Sequence, residues 1–247
     1  MQKQDRKVIT LHSVSKEVGR GRFKRQIIED LNWTIRPRSR TFVLGQRTAV
    51  SQLLSVIAGH SVPSEGWVSR RGKISPPQGF LRFGKAGTPR QLIARLCEIY
   101  GVEPKSVENF IEAALEHRHV LDSPVRQLPA SLKRELNVAL TYAIPCDYYL
   151  FFGGIGTSPR LAFRTLCEKA LNQRAKVAGI VVGTHSSRVA QTLKGFSSGA
   201  ILYKGKFTLF KYPEDAIAVY DSLEPEDDIP TELLKEDREE AEDTLEV

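Results

Sequence analysis

Residues 43–60 read VLGQRTAVSQLLSVIAGH, the end of a buried strand, a glycine and an amphipathic helix in quick succession. A phosphate-binding loop has this layout: strand, Gly, four variable residues, Gly, Lys, then Ser or Thr at the start of a helix. Its backbone N–H groups cradle phosphates, its Lys reaches the outer ones and its hydroxyl holds Mg²⁺. Here Thr41-Phe42-Val43-Leu44, the opening Gly45 and the helix marked by Leu53, Leu54, Ile57 and Ala58 keep that frame. Gln46, Arg47, Thr48 and Ala49 fill the variable positions. Val50 then stands where the second Gly belongs, Ser51 where the Lys belongs and Gln52 where the hydroxyl belongs. The scaffold of a phosphate site is present and its chemistry is missing.

The chain has 247 residues and is 41% hydrophobic, enough for one large domain or two coupled lobes. No apolar run approaches the roughly 20 residues a membrane-spanning helix needs, and the polar start MQKQDRKV has no hydrophobic segment behind it. Cys97, Cys146 and Cys167 stand apart without metal-ligand spacing, so buried reduced thiols are expected. These features favour a cytoplasmic protein. The net charge of +7 hides a division: from Glu224 onward twelve acidic residues against Lys235 and Arg238 give −10, which leaves +17 on the preceding 223 residues. The segment 224–247 is too charged to pack and is expected to be an acidic, disordered tail. Arg20, Arg22, Lys24, Arg25, Arg36, Arg38 and Arg40 make the early chain basic. Few aromatics are interleaved with them, so a solvated face beside a membrane partner is expected and nucleic acid is not.

Periodicity sets out the rest. Val8–Leu11 and Ile27–Ile35 read as strands, and Trp67-Val68-Ser69 with Lys73-Ile74-Ser75 as a hairpin around Arg70-Arg71-Gly72. Thr88-Pro89 has the form of a helix start, and Leu92, Ile93, Leu96, Ile99 and Tyr100 continue at helical spacing to Gly101. Further helices are expected at Ser106–His117, Ser131–Ile144, Arg160–Arg174 and Arg188–Leu193. Tyr148–Phe152 and Ala178–Val182 are unbroken apolar strands, and Gly199–Tyr203 with Phe207–Phe210 forms a last hairpin. Buried strands alternating with helices predict an α/β fold with a parallel sheet covered on both faces.

Asp30-Leu31, the loop frame with Ile57-Ala58-Gly59, Gly72-Lys73-Ile74-Ser75, Asp147-Tyr148-Tyr149-Leu150, Thr184-His185-Ser186 and Asp215-Ala216-Ile217 occur in register. In that order they resemble the nucleotide-binding subunits of ABC transporters, within these the ATP-binding subunits of capsule and O-antigen polysaccharide exporters. The resemblance covers about residues 8–221. It implies a P-loop (RecA-like) core with an antiparallel β subdomain and a helical insert at about 88–145, together an ABC-type nucleotide-binding domain over 1–223.

Such subunits bind ATP between two head-to-tail copies, the phosphate loop of one facing the signature sequence of the other. Position by position, the resemblance puts the adenine-stacking aromatic at about Val18, the magnesium-ordering Asp on Phe152 and the general-base Glu on Gly153. The glutamine of the flexible loop has no clear counterpart between Phe80 and Thr88. The signature reads Leu128-Pro129-Ala130-Ser131-Leu132, in which Pro129 removes a hydroxyl and a backbone donor. His185 keeps the position of the switch histidine, although a histidine at a strand end also serves as an ordinary rim residue. Phosphoryl transfer relies on positioning and charge neutralisation. With the Lys, both metal-ordering groups and the carboxylate absent, no catalytic set is intact, no metal is expected and ATP with Mg²⁺ is expected to bind weakly or not at all. The leading expectation is a pseudo-ATPase. It would dock on, or regulate, a polysaccharide exporter through its membrane permease and a second nucleotide-binding subunit, itself or an intact paralogue. Two alternatives stay open: an ATPase that uses Arg47 and His185 or a composite site, and a module that binds through its basic face.

Overall fold

The computed structural model describes residues 7–19, 21, 24–75, 87–117, 119–153 and 160–226. In chain order the elements are β1 (Ile9–Val18), β2 (Arg25–Ile35), β3 (Arg40–Gly45), α1 (Arg47–Ala58) and β4 (Glu65–Arg70). Three helices follow, α2 (Pro89–Tyr100), α3 (Pro104–Leu115) and α4 (Ala130–Ala143), then β5 (Tyr148–Phe152), α5 (Leu161–Arg174) and β6 (Gly179–Thr184). The chain closes with α6 (Ser187–Thr192), β7 (Ser198–Tyr203), β8 (Lys206–Phe210) and α7 (Pro213–Ser222).

The main sheet has the order β5-β6-β3-β7-β8, parallel except for the β7–β8 pair. The strands β5, β6, β3 and β7 are buried almost throughout, without alternation, because both faces are covered. Phe42, Leu44, Tyr149, Phe151, Ile180 and Val182 face a core shared with α2–α5. Val43, Tyr148, Leu150, Val181, Ala200 and Leu202 face a second core, filled by α1 and by the antiparallel sheet β2-β1-β4. The two sets interleave residue by residue, as the period of two requires. β3 therefore sits between the layers and delivers Gly45 to the carboxyl edge of the sheet.

The helix signals are realised locally. Thr88 and Gln91 form a reciprocal capping box with Pro89 at the first position, and Gly101 closes α2 in the left-handed conformation. The Glu103 carboxylate accepts from the amides of Lys105 and Ser106 at 2.9 and 2.7 Å and opens α3 two residues earlier than the periodicity predicts.

One expectation is corrected. Trp67-Val68-Ser69 does not form a hairpin with Lys73-Ile74-Ser75: β4 pairs with β1. After Gly72 the chain is captured by the start of β5. The Lys73 amide donates to Asp147 at 2.8 Å, the Tyr148 amide to the Lys73 carbonyl at 3.0 Å, and the Leu150 amide to Ser75 Oγ at 3.1 Å. Asp30-Leu31 lies inside β2 at a bulge, where Asp30 has φ 41° and its amide donates to Ser15 Oγ at 3.2 Å. Among the described residues no helix is long and apolar enough to cross a membrane.

Candidate phosphate site

The decisive geometry is where α1 begins. Gly45 ends β3, Gln46 alone separates strand from helix, and α1 is already helical at Arg47. The Val50 amide donates to the Gln46 carbonyl at 3.0 Å, the first bond of the helix. Four residues that would form an open loop are thus wound into the first turn. Ser51 and Gln52 lie in the second turn, half-buried, and their amides are committed to the helix ladder. What remains of a cradle is the set of amides that any helix leaves unpaired at its start.

Packing explains why the loop closes. Val50 is fully buried. Its methyl groups occupy a notch left by two glycines: a Cβ on Gly183 would lie 2.3 Å from Val50 Cγ1, and one on Gly45 would lie 3.1 Å from Cγ2. Leu53, Leu54, Val56 and Ile57 continue the buried stripe, so helix from Arg47 onward keeps all of them in the core. Gly45 itself is required by the sheet, since a Cβ there would meet the Leu202 carbonyl at 2.3 Å. The retained opening glycine needs no phosphate to account for it.

Arg47, His185 and Phe152 come together at the strand ends. The Arg47 guanidinium donates to His185 Nε2 at 3.2 Å and lies over the Phe152 ring at 5.9 Å. Gly153 leaves β5 with φ 79°, its amide bonded to the Gly183 carbonyl at 2.8 Å. Gly154 lies outside the described residues, as does most of the stretch between Phe80 and Thr88, where the flexible-loop glutamine has no clear counterpart. Val18 is buried in β1 and offers no surface to a base. In the stretch that the resemblance aligns with the signature, Leu128 is buried and Pro129 is the N-cap of α4, with no side-chain cap, while Ala130 and Ser131 are exposed and Leu132 half-buried.

Magnesium takes oxygen ligands, carboxylates above all. The resemblance would place its two metal-ordering groups at Gln52, in the second turn of α1, and at Phe152. Among the described residues no group of three or more His, Cys, Asp or Glu side chains could hold a metal ion. The residues present do not fit a nucleotide–magnesium site of the usual kind.

A cavity of about 590 Å³ opens beside Gln46, Arg47 and His185, and its other wall comes from the C-terminal part of the chain: Tyr203, Tyr220, Asp221 and Leu223 to Glu226. The Tyr220 hydroxyl donates to the His185 carbonyl at 3.3 Å. Burial, reinforced by the charges of Glu226 and Asp221, raises the Tyr220 phenol above its ordinary value. Sequence reasoning did not identify this wall. It is contributed by residues far along the chain, and nothing in their own spacing points to α1.

No family model matches the chain. A capsule polysaccharide export ATP-binding protein of Neisseria meningitidis, CtrD, is 27% identical over 219 residues, which span 87% of this chain and all of the relative. The ATP-binding protein BexA of Haemophilus influenzae is 23% identical over 197 residues, 79% of this chain and 89% of the relative. Among solved structures, an ATP-binding subunit of an ABC transporter superposes with a TM-score of 0.69 at 15% identity, covering 95% of this chain and 99% of that one. A bacterial ABC transporter cassette solved as a dimer gives 0.63 at 15% identity, over 81% and 97%. The fold is that of an ABC-type nucleotide-binding domain.

Proposed function

We propose that this chain, an ABC-type cassette by fold and a homologue of capsule-export ATP-binding proteins, serves in a polysaccharide exporter without hydrolysing ATP itself. One observation carries the reading: α1 is helical from Arg47, with Val50 plugged between Gly45 and Gly183. A phosphate entering there meets a closed helix start instead of a ring of amides. Where a carboxylate would order metal, Phe152 offers a ring face, and where a carboxylate would orient water, Gly153 offers nothing. Losing one charge-assisted contact costs roughly 1.5–3 kcal/mol, and several are absent together, so turnover is abolished instead of slowed. The cassette would act by docking on a membrane permease, at the inner face of the cytoplasmic membrane, beside a second nucleotide-binding subunit.

The test is ATPase activity of the purified chain, alone and reconstituted with a permease and an intact ATP-binding subunit. No turnover is expected alone, and turnover of the complex is expected to survive Ser51→Ala. Hydrolysis by the isolated chain at ordinary transporter rates, lost in Ser51→Ala or His185→Ala, would refute the proposal.

The Arg47–His185 contact favours a second reading, a composite site. There Arg47 would supply the positive charge that Ser51 lacks, and a partner's signature sequence would supply the rest. Nucleotide-dependent activity confined to the mixed complex and lost in Arg47→Ala would select this reading.

A further inference from the structure

The short segment after α7 runs directly past the start of α1. Glu226 is held there by a specific bond: its Oε1 accepts the Lys204 amide at 2.9 Å. That amide belongs to the tight turn Lys204–Gly205 between β7 and β8, with φ values of 48° and 79°. In a two-residue turn the first amide points away from the hairpin, so the carboxylate satisfies a donor that the β7–β8 ladder does not use. Pro225 and Glu226 line the 590 Å³ cavity on one side, and on the other a second cavity of about 360 Å³ bounded by Arg25, Gln26 and Ala49. Gln46, the cap of α1, borders both. The segment is therefore a wall between the two cavities, standing at the helix start.

Its charge opposes what the site was built for. A helix N-terminus with an arginine beside it attracts anions. Here Asp221, Glu224 and Glu226 border the same cavity as Arg47 and His185. Three carboxylates outnumber the single guanidinium. Residues 1–223 carry +17, so Glu224 and Glu226 stand against a body of opposite charge.

We propose that this acidic segment is a built-in charge guard: held by the Lys204 amide, it keeps polyphosphates away from Arg47 and the start of α1. The inference rests on the non-hydrolytic reading of the site and adds the device that enforces it. Arg47 and the helix amides then retain some capacity for phosphate, which the guard suppresses.

The experiment is isothermal titration of inorganic tripolyphosphate, without metal, into the full-length chain and into Asp221→Asn/Glu224→Gln/Glu226→Gln. A glutamine at 226 still presents an oxygen to the Lys204 amide, so the segment stays placed while its charge goes. Affinity is expected to rise by about tenfold or more in the triple variant at low salt. Adding Arg47→Ala to that background is expected to remove the gain. Equal affinity in the parent and triple variant, or a gain that survives Arg47→Ala, overturns the guard. Such a result leaves the non-hydrolytic reading untouched, because that reading fails only if the isolated chain turns over ATP.

Discussion

Val50→Gly separates a closed helix from a phosphate loop more sharply than any other single change. In a phosphate loop glycine is the residue that this position calls for, and the substitution would relieve crowding. In the observed structure Val50 is wholly buried within α1. Removing three buried carbons forfeits about 2.4 kcal/mol of transfer free energy at about 0.8 kcal/mol each. Glycine inside a helix adds about 1 kcal/mol. The expected loss is about 3–4 kcal/mol, which for a domain of this size lowers Tm by about 8–12 °C. Thermal and urea unfolding followed by circular dichroism at 222 nm measure it, with the midpoint shifted and the slope unchanged. A loss below about 1 kcal/mol would show that position 50 is not a helical plug, and the argument that the loop is closed would fall with it.

The neighbouring glycine gives a complementary result. Gly183→Ala would place its Cβ 2.3 Å from Val50 Cγ1 and 3.0 Å from Leu54 Cδ1; a loss of about 1–3 kcal/mol is expected, partly restored in Val50→Ala/Gly183→Ala, as a double-mutant cycle would measure. Arg160 binds the Glu135 carboxylate at 3.0 and 2.9 Å and donates to the carbonyls of Leu115 and Ala114 at the end of α3. Arg160→Ala is expected to cost about 2 kcal/mol in urea unfolding, less than a fully buried pair because Arg160 is partly exposed. Burial pushes the Cys146 and Cys167 thiols and the Tyr149 phenol each up to about 12. The unfolded chain ionises these groups at lower pH and so binds fewer protons than the native one. Stability should accordingly fall as pH rises above about 9, and absorbance at 295 nm should report tyrosine ionisation together with unfolding. At pH 8 the native protein should react with a thiol reagent at none of its three cysteines, and at all three in denaturant.

Strands and helices were legible wherever one rule governed several residues in a row. The apolar runs Tyr148–Phe152 and Ala178–Val182 read as buried parallel strands because both faces are covered, and Thr88-Pro89 announced α2 through its cap. The start of α1 was not legible, since Gln46 is a poor N-cap and makes no side-chain cap bond. Its signal lay in the stripe of Val50, Leu53, Leu54 and Ile57, which reaches one turn further back than the motif suggests. The apparent hairpin at 67–75 failed for a different reason. Local alternation cannot reveal that Asp147 and Tyr148, far along the chain, compete for Lys73. Of the site, Arg47, His185 and Phe152 were each singled out from sequence, but their contact is tertiary. The acidic wall at Asp221–Glu226 was visible only as composition.

Residues here that match the phosphate-loop motif and residues that depart from it have different physical causes. Gly45 and Gly183 are tied to backbone and side-chain contacts of 2.3 Å that any Cβ would violate, so the sheet alone enforces them. Retention of that frame therefore says nothing about phosphate. The informative positions are those where polarity would serve only chemistry, namely 50, 51, 52, 152 and 153. There, one side chain has become a core plug, one a ring face for Arg47, and the amides of two more are consumed in a helix ladder. An open loop at these positions would leave its amides unsatisfied wherever no ligand met them. Here the amides from Val50 onward are bonded within the helix and Val50 fills the space. At this site the positive end of α1 can still attract an anion, and Asp221, Glu224 and Glu226 line the cavity beside it.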